Sequence, residues 1–206
     1  MQNPIKSFLK NISPTYQIIY TGIMNFVTID FETAKHSRES ACAIGLVKFL
    51  NGKKADTYYS LIRPPDLYIR PDFTDIHGLT VEDVKDSPTF DKIWNDIKTF
   101  IGGLPLAAHN AMFDMGVLRA VLEWYKIDVP SLPYFCTCNL ARNVWPELRS
   151  HSLPNLAKHF ELKYNAHNAL DDALTCGKLA LIAAQDYGCT SVEELLKDAR
   201  QELKIL

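Results

Sequence analysis

Two β-rich runs, residues 41–50 and 55–62, lie on either side of Asn51-Gly52, and this dipeptide strongly limits what the chain can fold into. Asn and Gly tolerate the positive φ that a two-residue hairpin turn demands, so the two runs are expected to pair antiparallel. A third apolar run, Asn25-Phe26-Val27-Thr28-Ile29, precedes them and alternates as a buried strand does. Helical patterns follow. Ser87-Pro88 offers an N-cap and a first-turn proline, and Phe90, Ile93, Trp94, Ile97 and Ile101 recur at helical intervals up to Gly102-Gly103. A short strand is expected over residues 104–108, then a helix whose apolar stripe is Phe113, Val117, Leu118, Val121, Leu122 and Tyr125. Residues 134–137 read as another buried strand, and Ser152-Leu153-Pro154 opens a short helix ending near Phe160. A long helix covers residues 169–184, and a terminal one starts at Val192, capped by Ser191 with Glu194 in capping-box register. Strands first, then helices interleaved with strands, predict an α/β sandwich with a mixed sheet.

The 206 residues are 47% hydrophobic and 22% charged, which suits one sizeable core, read as a single domain over residues 25–206. A formal charge of −2 excludes a generally cationic protein that coats nucleic acid. Cys42, Cys136, Cys138, Cys176 and Cys189 form an odd set without a CxxC pair, which predicts reduced thiols in a cytoplasmic setting. Cys136 and Cys138 are expected on one side of a strand, as core rather than zinc ligands. No run reaches the ~18 apolar residues of a membrane span. Residues 1–24 hold Lys6 and Lys10 and no acid, and Ile5, Phe8, Leu9 and Ile12 fall at the spacing of a short amphipathic helix. They read as an extension, without the continuous apolar core of a secretory signal.

Chemistry enters with Asp30 and Glu32, which flank Phe31 at the end of the first strand. Residues two apart on a strand share a face, so both carboxylates aim at one point. At ~4 Å and an effective dielectric of ~20 they repel by roughly 4 kcal/mol, and a divalent cation would turn that cost into affinity. Farther on, Asp114 sits near the start of one helix, while His167 precedes another whose first turn holds Asp171 and Asp172. Taken alone, an acid in a first helical turn is accounted for by the helix dipole, and a histidine there by capping.

Three blocks, Ile29-Asp30-Phe31-Glu32-Thr33, His109-Asn110-Ala111-Met112-Phe113-Asp114 and His167-Asn168-Ala169-Leu170-Asp171-Asp172-Ala173, together resemble the DEDDh 3'→5' exonucleases. That group includes the proofreading epsilon subunit of bacterial DNA polymerase III. A fourth block, Ile76-His77-Gly78-Leu79-Thr80, is similar to the family's loop between the hairpin and the first long helix. The resemblance implies a ribonuclease H-like three-layer fold with a mixed five-stranded sheet flanked by helices. It implies two Mg2+ or Mn2+ ions: Asp30 bridging both, Glu32 and Asp172 completing one site, Asp114 holding the other partly through water. His167 is then the general base, since an unperturbed pKa of ~6.5 lets it accept a proton at neutral pH. Phe31, Thr33, His77 and Gly78 would seat the 3'-terminal nucleotide, while Asn110 braces the turn before Asp114. Phe113 and Trp94 read as core.

The implied substrate is a single-stranded or frayed DNA 3' end, released as nucleoside 5'-monophosphates, with an exoribonuclease as the nearest alternative. A non-catalytic nucleic-acid or polymerase binding module is the alternative of another class. Many relatives continue the first block as Thr-Thr-Gly, whereas Thr33 is followed here by Ala34-Lys35. The terminal helix is shorter than the tail by which a replicative epsilon subunit grips its polymerase. A freestanding or differently tethered nuclease, with a polymerase or repair partner, is expected.

Overall fold

The structure, a computed structural model, describes residues 23–206. Strands β1 (Phe26–Thr33), β2 (Ala41–Leu50) and β3 (Lys53–Leu61) form an antiparallel meander. Asn51 and Gly52 turn β2 into β3 at φ 52° and 69°, as the dipeptide predicts. Strands β4 (Leu106–Ala108) and β5 (Pro133–Cys136) run parallel to β1 on its other side, and β6 (Lys204–Ile205) closes that edge antiparallel, giving the order β3-β2-β1-β4-β5-β6. The sheet thus has six strands rather than five. Two residues are too few to show any alternation in sequence, which is why β6 escapes notice.

Helices α1 (Pro71–His77), α2 (Val81–Val84), α3 (Phe90–Ile101), α4 (Met112–Trp124), α5 (Thr137–Val144), α6 (Leu153–His159), α7 (Ala169–Tyr187) and α8 (Val192–Asp198) complete the described fold. The alternation of β1 sorts them into two layers. Phe26 faces α5–α8 and stacks on Phe49 with ring centres 4.9 Å apart, in one core with Phe135, Leu156 and Leu179. Val27, Ile29 and Phe31 face the opposite way, against Phe90, Ile93 and Trp94 of α3 and Val117 and Leu118 of α4. Each such buried side chain contributes about 1.5–3 kcal/mol, so a one-residue slip of β1 would forfeit both layers at once.

Several local expectations need correction. Thr89, not Ser87, precedes the first turn of α3, because the backbone is still extended at Thr89 and turns helical only at Phe90. Cys136 ends β5 but Cys138 lies in the first turn of α5, so they share no strand face. Residues 76–80 are not all loop: they span the end of α1 and the start of α2, elements too short for a 3.6-residue period to register. Phe113 is 40% exposed rather than core, while Trp94 is buried. Ser191 accepts from the Glu194 N–H, but the Glu194 carboxylate reaches back to Thr190 rather than to Ser191. The amphipathic pattern at Ile5, Phe8, Leu9 and Ile12 lies outside the described residues.

Candidate active site

β1 and β4 pair only at Val27 with Leu106 and Thr28 with Ala107, then part. Beyond this fork, at the carboxyl ends of two parallel strands whose connections lead to opposite sides, an α/β sheet opens its crevice. Asp30 and Glu32 project there from the α7 side of β1. Asp172, in the first turn of α7, joins them, so that one oxygen from each of the three lies within 4.8 Å of the others.

A glycine permits this approach. A Cβ on Gly45, the β2 partner of Asp30, would overlap the backbone carbonyl of Ala169 at the start of α7. With only hydrogen there, α7 lies directly on β2 and delivers Asp172 to β1. A lone glycine inside a strand pattern is the sequence signal for such close approach.

Asp114 arrives from the opposite layer. It is 1% exposed, and its Oδ1 accepts the backbone N–H of Phe31 at 3.1 Å, at the edge that β4 leaves unpaired. From there its charge acts on Asp30.

Crowding of acids in a poorly solvated cleft shows in their protonation. Burial pushes Asp30 well above the ordinary carboxylate range, with the charges of Asp114, Asp172 and Glu32 adding to the effect. Burial, then the Asp172 charge, moves Glu32 to about 8. Asp172 is raised by burial but partly relieved by the Tyr164 hydroxyl, which donates to Oδ1, and by His167. Asp114 is raised by burial against the counter-effect of its bond to Phe31. Hard carboxylate oxygens that destabilise one another when ionised fit a divalent cation such as Mg2+ or Mn2+.

His167 sits at φ 61°, exposed, two residues before α7. The helix cap is its neighbour Asn168, whose side chain accepts the Asp171 N–H at 3.1 Å. The imidazole therefore has no capping duty, and its charge acts on both Asp172 and His77. Asp171 stays outside the three-acid cluster.

The four residues singled out for substrate have different settings. The Phe31 ring is 2% exposed and packs towards Phe90, leaving only its backbone near the cleft. Thr33 is 5% exposed, and its carbonyl accepts from His77 Nε2 at 3.2 Å. His77 Nδ1 accepts the Leu79 N–H at 3.1 Å, which leaves Nε2 as the protonated nitrogen and makes the ring a tie between α1 and the end of β1. Gly78 caps α1 at φ 78° with open space where a Cβ would stand.

Two supports were not apparent from sequence. Tyr164 carries no spacing signal. His109 opens the second block, with no role of its own assigned from sequence; its Nε2 donates to the His151 carbonyl at 2.8 Å and its Nδ1 meets Thr137 Oγ1 at 3.0 Å. A carbonyl only accepts, so Nε2 is the protonated nitrogen of a neutral ring, and burial lowers the pKa to about 4.

This fold and this cleft define a nuclease that gathers carboxylates at the mouth of a mixed sheet. The chain belongs to the RNase T exonuclease family, whose sequence model matches residues 27–180. It is 33% identical over 157 residues to the PolC-type DNA polymerase III of Oceanobacillus iheyensis, covering 75% of this chain and 11% of that protein. It is 28% identical over 196 residues to the DNA polymerase III epsilon subunit of Escherichia coli, covering 88% of this chain and 79% of the other. The chain thus spans only about a tenth of the PolC-type relatives. Among solved structures, exonuclease X in complex with 5' overhanging duplex DNA superposes with a TM-score of 0.68 at 27% identity, over 84% of this chain and 98% of the other. Residues 27–180 thus form an exonuclease-family domain of the DEDD type, and membership of that family implies dependence on a divalent metal. Among the described residues no helix is long and apolar enough to cross a membrane.

Proposed function

We propose that this protein is a 3'→5' exonuclease that removes nucleoside 5'-monophosphates from single-stranded or frayed DNA ends, through one exonuclease domain beginning near Asn25. The observation that carries this reading is the meeting of Asp30, Glu32 and Asp172 within 4.8 Å, with Asp114 entering from the other layer. Two Mg2+ or Mn2+ ions held by these four carboxylates would activate water and neutralise charge on the attacked and departing oxygens.

The chain's own residues supply the rest. The exposed imidazole of His167 takes the proton of the attacking water, a role suited to a histidine that is neither buried nor committed to a cap. The Thr33 region and Gly78 leave backbone within reach of a terminal sugar, and His77 holds these two segments together. Phe31 contributes through its backbone, since its ring belongs to the core. The epsilon and PolC-type relatives favour a polymerase or repair factor as partner.

Purified protein with magnesium should shorten a 5'-labelled oligonucleotide one residue at a time, and Asp30→Ala should abolish this while the circular dichroism spectrum is retained. Cutting of a circular single strand would overturn the exonucleolytic reading. Faster degradation of matched RNA would reassign the substrate to RNA. Binding of nucleic acid without hydrolysis in either metal would leave only a binding module.

A further inference from the structure

We infer that a groove on the outer side of α4 is a track for the polynucleotide strand 5' of the residue being removed, with Arg38 and Arg119 as its phosphate contacts. This rests on the exonucleolytic reading of the neighbouring cleft. The groove has a volume of about 370 Å³ and is lined by Arg38, Met112, Gly116, Arg119, Tyr134 and Glu123, among others. It starts at the helical turn that carries Asp114, where Met112 is 70% exposed, and runs down α4 away from the cleft. The groove and the Asp114 carboxylate therefore share the first turn of α4, through Met112 and Met115.

Its charge is arranged for a polyanion. Arg38 follows the first catalytic strand, and among the described residues neither it nor Arg119 is in an ion pair, whereas Lys35 on the same loop is neutralised by Asp66 and Arg70 by Asp72. Glu123, one turn beyond Arg119, is the acid that ends the cationic stretch. The placement of Arg38 is built in: a Cβ on Gly116 would overlap its guanidinium, so the side chain lies against bare helix backbone two residues after Asp114. Glycine inside a helix is unfavourable, and here it leaves room for the guanidinium. The guanidinium fork suits phosphate oxygens, while Met112 and Tyr134 offer apolar surface to sugar and base.

The test compares a fluorescein-labelled oligothymidylate of about eight nucleotides with the p-nitrophenyl ester of thymidine 5'-monophosphate, which reaches the cleft alone. Affinity for the oligomer is read by anisotropy in calcium across a range of salt. Arg38→Ala and Arg119→Ala should each weaken it several-fold and reduce the slope of log affinity against log salt by about 0.7. Gly116→Ala should weaken it too, without lowering thermal stability, because the displaced arginine swings into solvent. In magnesium, the loss of kcat/KM for Arg38→Ala should be at least about fivefold greater on the oligomer than on the ester. Unchanged salt slopes, equal losses on both substrates, or equally effective competition by polyglutamate would overturn the track. If the wild type binds the oligomer as described yet hydrolyses neither substrate, the track stands and the exonucleolytic reading falls.

Discussion

The carboxylate of Asp114 and the backbone N–H of Phe31 are joined at 3.1 Å, so a side chain from one helical layer is fastened to the strand that presents Asp30 and Glu32 to the other. Removing the acceptor leaves a buried N–H unsatisfied, and Asp114→Ala should cost roughly 1.5–3 kcal/mol in urea denaturation. Asp114→Asn keeps an acceptor oxygen and should recover most of that stability. Both variants should lose nuclease activity, and an active Asn variant would show that the position is only structural.

Protonation should compete with metal at the same oxygens. Glu32 has its folded pKa raised from 4.5 to about 8, so its contribution to stability is fully present below 4.5 and is lost as pH rises through 8. Metal-free protein should therefore lose thermal stability across that window, and the stabilisation given by magnesium should grow over the same range as the proton is displaced. Melting curves with and without magnesium test this, and a magnesium effect independent of pH would contradict it.

Close packing of α7 on β2 depends on the missing side chain at residue 45. Gly45→Ala meets backbone rather than a flexible side chain, so α7 must move outward, at a cost of about 1–3 kcal/mol or more. Asp172 would move with it. Exonuclease activity should fall by more than the unfolded fraction explains, measured at a temperature where the variant remains folded. Activity equal to the wild type would show that the acid cluster tolerates the shift.

His109 should make the fold acid-sensitive. Its pKa is lowered from 6.5 to about 4, so its contribution is fully present above 6.5 and declines as pH falls towards 4, by about 3 kcal/mol in all. The acids of the cleft have the opposite slope, so a single curve mixes the two. His109→Gln cannot titrate, and its stability relative to wild type should improve steadily from pH 6.5 down to 4 in denaturant titrations. A constant difference would mean that the wild-type ring is already protonated in the fold.

What could be read in advance follows the range of the forces involved. Asn51-Gly52 specifies its turn through local backbone geometry, and the stripe Phe90, Ile93, Trp94, Ile97 and Ile101 announces α3 by period alone. Asp30 and Glu32 share a face for the same local reason. The bond from Phe31 to Asp114 spans 83 positions and Thr137 approaches Cys176 across 39, so neither leaves a mark in any short window. Phe113 misled because it continues an apolar stripe at a helix start that protrudes from the core. Tyr164 precedes its partner Asp172 by eight residues through a loop, where no periodic rule applies.

The early parting of β1 and β4 has a mechanical consequence. After two register pairs the ladder stops, and beyond them the Phe31 N–H is bonded by the Asp114 side chain rather than by a backbone carbonyl of β4. A chain that zipped the strands together for two further pairs would be stiffer and harder to melt, and the gap through which Asp114 joins the other three acids would no longer exist.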